Sequence, residues 1–343
     1  MAAAKDRLAV GPLSAAPGTA VTGLVRIGEL ADGVTPIQVP LVLVNGALEG
    51  PTIYLHAGSH GQETPYAVAM MARLRRTIDP GRLRGAIVAV PVANLLAHQF
   101  ATRVPPPYAA REGVAFAGDL HKLWPGDPAG SMTQRIADFL WREAVSRATC
   151  AIDFHAVGEP GIPFLFLYRG GRRDCEGSEV WARACELASA FGFTAIATAP
   201  NPLTLGGSCL DAGKPCFMVE MTRGRNLDDS TVDAALRGTL NVLKRLGMVD
   251  GDPEPQAGFP VLPGLRRALP TLRAGRGGFV RFEAPCGEWL PSGTVVARIC
   301  DVFGEELEAV AMPTDGYVMT YPAMSWVANQ AVATGDLIAD VFI

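Results

Sequence analysis

The pattern of apolar and polar positions divides the 343-residue chain into an alternating part and a strand-rich tail. Three short and nearly continuous apolar runs, TIYLHAG, GAIVAVPVAN and TCAIDFHAV, lie between residues 52 and 157. A fourth run, PCFMVEMTRG, begins at Pro215. Runs of this kind are typical of strands that are covered on both faces of a sheet. We therefore expect buried strands at these four places.

Helical patterns separate the apolar runs. Apolar residues recur at helical spacing in TPYAVAMMARLRRTI, SMTQRIADFLWREAVSRA and EVWARACELASAFG. This alternation of strands and helices predicts an α/β fold with a mixed, largely parallel sheet flanked by helices. The early segment TGLVRIGELADGVTPIQVPLVLVNG alternates apolar and polar residues and breaks at glycine, which predicts a β-ribbon entering the fold.

The composition changes near residue 250. The segment DGDPEPQAGFPVLPG is rich in Pro, Gly and Asp and is typical of a linker. Beyond it, glycines separate short strand-like pieces such as GGFVRFEAPCGEWL, GTVVARICDVFG, DGYVMTY and GDLIADVFI. We therefore predict a main domain over residues 1–250, and a linker with a small all-β domain, of sandwich or barrel type, over residues 251–343.

Composition narrows the class of protein. Apolar residues make up 49% and charged residues 19%, which is ordinary for a soluble globular chain. The net charge of −4 and the lack of a Lys/Arg run disfavour nucleic acid as a partner. No apolar stretch reaches the roughly 18 residues of a membrane span, and the first residues lack the apolar core of a signal peptide. Seven cysteines without a CxxC pair indicate free thiols and a cytoplasmic location.

Candidate chemistry lies where the predicted strands end. The stretch HAGSHGQE directly follows TIYL and places His60 and Glu63 in HxxE spacing, while His155 ends the run CAIDFH. Ligands of open α/β sheets bind beyond the carboxyl ends of the strands. Two histidines and a glutamate are a ligand set of catalytic zinc, with one position left open. The spacing alone leaves a second interpretation, in which His60 is a turn residue and Glu63 an acidic helix start.

The motifs HGQE, DLHKLWPG, DFH and VEMTRG, in this order, resemble the succinylglutamate desuccinylase/aspartoacylase family, which belongs with the zinc carboxypeptidase-like hydrolases. The resemblance spans roughly residues 50 to 225, and the tail fits the layout of the family. It implies that His60, Glu63 and His155 bind one zinc ion per chain. It also implies that Asp153 is a carboxylate that orients a ligand imidazole.

The resemblance also implies the catalytic groups. Glu220, which follows four apolar or sulfur-bearing residues, would take the proton from the attacking water and pass it to the leaving nitrogen. A buried structural ion pair is the alternative role for this glutamate. Arg103 would stabilise charge on the scissile carbonyl, and Asn94 would hold the same loop and contact substrate.

One motif departs from the family. Many members carry Asn-Arg where this chain has His121 and Lys122 in DLHKLWPG. Lysine offers a point charge in place of the planar fork of arginine, so recognition of a substrate carboxylate by two parallel hydrogen bonds is lost. We expect His121 and Lys122 to contact substrate, but the substrates of relatives do not transfer to this chain.

Together these features predict a zinc-dependent hydrolase that cleaves the amide bond of a small N-acylated amino acid or related amide. Two alternatives stay open at this point. One is a carboxypeptidase-like metallopeptidase, and the other is a non-catalytic metal-binding sensor of a small molecule. Exposed β-edges in the tail make a homo-oligomer a reasonable expectation.

Overall fold

The largest element of the fold is a nine-stranded sheet. The computed structural model describes residues 5–105, 118–156, 160–221, 227–321 and 330–343. In spatial order, the strands of the large sheet are β11 (Leu265–Arg267), β9 (Thr194–Thr198), β8 (Phe164–Tyr168), β10 (Cys216–Glu220), β7 (Cys150–His155), β5 (Leu48–Ala57), β6 (Arg84–Val90), β4 (Pro36–Asn45) and β3 (Thr19–Glu29). A separate hairpin precedes it, formed by β1 (Leu8–Val10) and β2 (Leu13–Ala15).

The strand pairing confirms a mixed, largely parallel sheet. Strand β5 pairs parallel with β6 and β7, β7 with β10, β8 with β9, and β9 with β11. The antiparallel ribbon of β3 and β4 joins the sheet through β6, as the alternating N-terminal segment predicts. Strand β8 was not predicted, and it runs antiparallel to β10. Its sequence FLFLY has the composition of a buried strand, but a local apolar pattern carries no information on strand direction.

Six α-helices are present among the described residues: α1 (Thr64–Thr77), α2 (Leu95–Phe100), α3 (Met132–Glu143), α4 (Glu179–Phe191), α5 (Leu205–Asp211) and α6 (Asp229–Arg245). Polar side chains fix where several of them begin. Ser131 and Gln134 form a reciprocal capping box at the start of α3, and the Asp228 carboxylate accepts two backbone N–H bonds at the start of α6.

The helices cover both faces of the sheet, and each face has its own core. Helices α1, α4 and α6 pack on one face, which buries Leu55 of β5 and Phe154 of β7. Helix α3 packs on the other face, which buries Tyr54 and Ala151 of the same strands. Side chains alternate between the faces of a strand. The even-numbered positions of β5 and the odd-numbered positions of β7 therefore face the α3 side.

The C-terminal part of the chain is an all-β region of two antiparallel four-stranded sheets around a core of its own. The first sheet contains β12 (Leu272–Arg273), β19 (Leu337–Phe342), β17 (Gly316–Thr320) and β14 (Trp289–Leu290). The second contains β16 (Glu306–Ala311), β15 (Val295–Cys300), β13 (Gly278–Phe282) and β18 (Ala331–Val332). This region matches the predicted all-β tail.

The connection between the two parts is hydrogen-bonded to the main part. The Asn241 side chain of α6 makes two bonds to the backbone of Glu254, at 2.7 and 2.8 Å. Strand β11, which follows the connection, pairs with β9 and so returns to the large sheet. Arg267, the last residue of β11, forms two backbone hydrogen bonds with Ile343, of 2.9 and 3.1 Å. The predicted domain division at residue 250 stays a prediction.

Among the residues that the structure describes, no helix combines the length and the apolar character that crossing a membrane requires.

Candidate metal centre and active site

The stretch HAGSHGQE forms the turn that leaves β5 and enters α1. Gly58 has φ +70°, and a Cβ there would lie 2.7 Å from Cα of Val92. Gly61 lies in a single 3-10 turn, Gly61–Glu63, and a Cβ there would lie 2.0 Å from the backbone of Ala97. Neither glycine tolerates a side chain, because Val92 and helix α2 pack directly against the turn. The glycines therefore allow His60 and Glu63 to lie in a buried position.

The structure brings His60, Glu63 and His155 together. One ligand atom from each lies within 4.8 Å of the others, and all three residues are buried. Nδ1 of His60 is 2.8 Å from Oε1 of Glu63, and Nδ1 of His155 is 2.9 Å from Oε2 of the same carboxylate. The two imidazoles thus direct the same ring nitrogen towards one carboxylate.

The outer nitrogens of both imidazoles face further carboxylates. Nε2 of His60 is 3.0 Å from Oδ1 of Asp119, and Nε2 of His155 is 3.3 Å from Oδ2 of Asp153. Metal-bound histidines usually have a carboxylate at the nitrogen that does not bind the metal. A buried donor set of two imidazole nitrogens and one carboxylate, held in this way, fits a divalent metal ion such as zinc.

Sequence reasoning singled out Asp153 but missed Asp119. Asp119 begins a 3-10 turn, Leu120–Lys122, and its Oδ1 accepts a bond from the backbone N–H of His121 at 3.1 Å. Its carboxylate is fully buried. The available signal was an aspartate directly before an apolar residue and His-Lys in DLHKLWPG.

The electrostatics of the cluster follow from burial and from the alternation of acids and imidazoles. Burial alone would raise the pKa of Glu63, but the adjacent His60 and His155 hold it well below its usual range. Burial alone would lower the pKa of His155, but Asp153 and Glu63 hold it well above its usual range. The adjacent imidazoles therefore favour the ionised form of Glu63.

Glu220 lies at the end of β10, where it is the Cα partner of His155 on the parallel strand β7. Partners in a ladder point to the same face of a sheet, so both side chains project on the α3 side. The side chain is buried, and its Oε2 has no hydrogen-bond partner among the described residues. Burial raises the pKa of Glu220 well above its usual range, and the negative charge of Glu63 adds to the effect. A carboxyl with a raised pKa is suited to taking up and releasing a proton.

Arg103 lies at the edge of the cluster. Its Nε donates to Oδ2 of Asp119 at 2.9 Å, and its Nη1 lies 3.5 Å from Nδ1 of His60. A fully buried acid thus holds the guanidinium beside His60, one of the three predicted ligands. Asn94 caps α2, where its Oδ1 accepts from the backbone N–H of Ala97 at 3.1 Å. This bond holds the loop as predicted, and the substrate contact of Asn94 stays a prediction.

His121 and Lys122 lie next to the cluster on the 3-10 turn that Asp119 begins. The His121 ring is 4.9 Å from the His155 ring, centroid to centroid, and its Nδ1 is 4.0 Å from Oδ2 of Asp153. His121, Asp153 and His155 form a second group of three potential metal donors, which shares His155 with the first. Burial lowers the pKa of Lys122. With the Asn201 amide oxygen turned towards it, Lys122 donates to that oxygen at 3.2 Å.

His56 takes no part in the cluster. Its Nδ1 is 2.9 Å from the Tyr54 hydroxyl, and its Nε2 is 2.9 Å from the Ser59 hydroxyl. The imidazole is fully buried between these two hydroxyls. It is a satisfied core histidine.

Comparisons with known proteins identify the family of this chain. Residues 49–246, more than half of the chain, match the family profile described as the succinylglutamate desuccinylase/aspartoacylase catalytic domain. The N-alpha-acetyl-L-2,4-diaminobutyric acid deacetylase of Halomonas elongata is 26% identical over 275 residues, which cover 78% of this chain and 75% of the deacetylase.

Solved structures share the whole fold. A succinylglutamate desuccinylase/aspartoacylase from Rhodobacter sphaeroides aligns with a TM-score of 0.79 at 24% identity, over 94% of this chain and 95% of the other. The ectoine utilization protein EutE (DoeB) from Ruegeria pomeroyi, in its product-bound structure, aligns with a TM-score of 0.79 at 21% identity, over the same shares of the two chains. On the extent of the profile match, the chain belongs to the succinylglutamate desuccinylase/aspartoacylase family.

Proposed function

We propose that this protein is a zinc-dependent hydrolase that cleaves the amide bond of a small N-acylated amino acid or a related amide. The observation that carries the proposal is the position of Glu220, a buried carboxyl beside a buried His-Glu-His cluster. The Halomonas deacetylase supports the substrate class, because it is named for an N-acetylated amino acid.

The proposed zinc site consists of His60, Glu63 and His155, with their outer contacts to Asp119 and Asp153. Zinc in such a site supplies Lewis acidity to the scissile carbonyl and to the attacking water. Asp119 would orient the His60 imidazole through its contact with Nε2, and Asp153 would act at the corresponding nitrogen of His155.

Glu220 is the proposed proton carrier. It takes a proton from the attacking water and delivers it to the leaving nitrogen, which would otherwise depart as an unstable amide anion. Its raised pKa suits both steps, because the acid form that results from the first step persists long enough to serve in the second. Arg103, held by Asp119, places a positive charge where the carbonyl oxygen becomes negative. Lys122 and His121 are proposed to contact the remainder of the substrate.

The first test is metal content by elemental analysis of protein purified without added metal. We expect about one zinc per chain in the wild type and loss of zinc in His60→Ala, since His60 supplies one of the three proposed donors. His98→Ala is the matched control, because this imidazole is exposed and bonds only to Thr64 among the described residues. A wild type that binds no metal even when zinc is offered contradicts the proposal.

The second test separates catalysis from metal binding. Glu220→Gln should keep its zinc and lose about 10²–10⁴-fold in kcat on the best substrate of a panel of N-acyl amino acids. Glu179→Gln, at an exposed position, should behave as wild type. Short peptides belong in the same panel, because faster cleavage of peptides would favour a metallopeptidase. Undiminished turnover in Glu220→Gln would show that the base is another group. A metallated wild type that turns over nothing in the panel would favour a sensor.

A further inference from the structure

One acid of the C-terminal β region lies in the strand that packs against the large sheet near Glu220. Asp340 is in the strand β19, and its Oδ1 accepts a hydrogen bond from the Thr271 hydroxyl at 3.2 Å. No other hydrogen bond to this carboxylate is found among the described residues. Burial raises the pKa of Asp340, although the Thr271 bond and the charge of Arg273 oppose the effect. The Nη1 of Arg273 itself donates to the backbone oxygen of Gly335 at 2.8 Å.

The C-terminal β region is attached to the large sheet close to Glu220. The backbone N–H of Ile162 donates to the oxygen of Met319 at 3.0 Å, just before β8 begins. Phe342 packs against Phe164 at a ring distance of 5.9 Å. Phe164 is the Cα partner of Glu220 in the antiparallel pairing of β8 with β10. Phe164 and Glu220 therefore project from the same face of the sheet, and Phe342 covers that face.

Asp340 precedes Phe342 by two residues in the same strand. Side chains two apart in a strand point to the same side, so Asp340 also faces the large sheet. The placement has an electrostatic consequence. Burial is the main cause of the raised pKa of Glu220, and the charge of Asp340 contributes together with that of Glu63. The strand position of Asp340, the contact of Phe342 with Phe164 and the pairing of Phe164 with Glu220 together place Asp340 on the side of β19 that faces Glu220.

We propose that Asp340 determines substrate specificity by binding a positively charged group of the substrate, an ammonium or a guanidinium. This inference rests on the proposed function. The Asp340 carboxylate is partly buried, and a cation that compensates its charge stabilises its ionised form. Thr271 holds one oxygen of Asp340 and fixes the direction of the other. The C-terminal β region would thus contribute a charged residue to substrate recognition.

The test compares two substrates of equal chain length, Nα-acyl-ornithine and Nα-acyl-norleucine, which differ in that only the first carries an ammonium. We expect the wild type to have a KM about 10–100-fold lower for the ornithine compound. In Asp340→Asn, which keeps an oxygen for the Thr271 hydroxyl, this preference should vanish. Asp336→Asn removes an exposed carboxylate of the same region and should keep the preference.

A preference for the cationic substrate that survives in a folded Asp340→Asn overturns the proposal, and so does a wild type that prefers norleucine. Folding is checked by the thermal unfolding midpoint, and Asp340→Glu serves as a second variant that keeps the charge. If the wild type cleaves neither compound, the proposed function fails. The role of Asp340 is then tested by measuring the binding of free ornithine and free norleucine by calorimetry. Binding of ornithine alone, lost in Asp340→Asn, supports the proposal, and equal or no binding of both overturns it.

Discussion

The Nε2 atom of His60 lies 3.0 Å from Oδ1 of Asp119, a residue 59 positions further along the chain. The other oxygen of this carboxylate accepts from Arg103 at 2.9 Å. One buried acid therefore orients a proposed metal ligand and a proposed oxyanion-stabilising group at the same time. A change at Asp119 is expected to disturb both functions.

Asp119→Asn should lower zinc affinity by about 10–100-fold, the range seen when the outer partner of a metal-bound histidine is removed. The wild-type carboxylate accepts from His60 with one oxygen and from Arg103 with the other. Asparagine has only one side-chain oxygen, and its NH2 group is a donor, so one of the two bonds is lost. Competition with a chromophoric chelator measures the affinity. The control is Asp127→Asn, at an exposed turn where the carboxylate accepts from the backbone of Ala129. Equal affinities in Asp119→Asn and wild type would mean that Asp119 does not support the metal site.

Arg103→Lys should leave zinc content unchanged and lower kcat by about 10–100-fold, because an oxyanion-stabilising charge would be displaced. Lysine keeps the positive charge but has no Nε, so the bond to Asp119 is lost. Steady-state kinetics separate kcat from KM. The exposed Arg135→Lys is the control. A normal kcat with a raised KM would instead place Arg103 in substrate binding.

Gly61→Ala should destabilise the protein by about 3 kcal/mol and reduce metal binding. The new methyl would lie 2.0 Å from the backbone of Ala97, so the turn that carries His60 and Glu63 must move away from α2. Urea unfolding measures the loss. Gly81→Ala is the control, and it should change the free energy of unfolding far less. Its Cβ would meet the flexible Asp79 carboxylate, at 3.2 Å, and no backbone among the described residues. Similar losses in the two variants would contradict the close approach at Gly61.

Stability should fall with acidification below pH 6.5 in part because of His56. Burial lowers the pKa of this imidazole from 6.5 to about 4 in the folded chain. Between pH 4 and pH 6.5, His56 binds a proton in the unfolded chain but not in the folded chain. The contribution of His56 to stability is therefore complete above pH 6.5 and is lost as the pH falls towards 4. The contribution to the slope reaches about 1.4 kcal/mol per pH unit.

Urea unfolding from pH 4.5 to 7 tests this contribution, with His56→Asn expected to flatten the dependence on pH. His98→Asn removes an exposed histidine and should keep the steeper slope of the wild type. An unchanged slope in His56→Asn would assign the acid sensitivity to other groups.

The parts of the site that the sequence predicts are those with local signals. His60 and Glu63 are three residues apart on one turn, and His155 ends a strand whose apolar run is plain in the sequence. Their convergence follows from the rule that parallel strands end at one edge of a sheet. Their roles as zinc ligands, and the roles of Asp153, Glu220, Arg103, Asn94, His121 and Lys122, stay predictions.

The rest depends on pairings between distant segments. Asp119 matters because of His60, and no local spacing links the two. Strand β8 is visible as an apolar run, but its antiparallel direction depends on its neighbour β10. Asp340 is one of many acids in the tail, and only the packing of Phe342 on Phe164 shows that its strand lies against the face that carries Glu220. These relationships are long-range contacts, so a pattern read along the chain does not contain them.

The exchange of backbone bonds between Arg267 and Ile343 has a consequence for cooperativity. Arg267 ends the outermost strand of the large sheet, and Ile343 directly follows a strand of the C-terminal β region, so two backbone hydrogen bonds join the two sheets. Loosening either sheet exposes the backbone groups of the other. Heating should therefore melt both parts in a single calorimetric transition, with equal calorimetric and van't Hoff enthalpies.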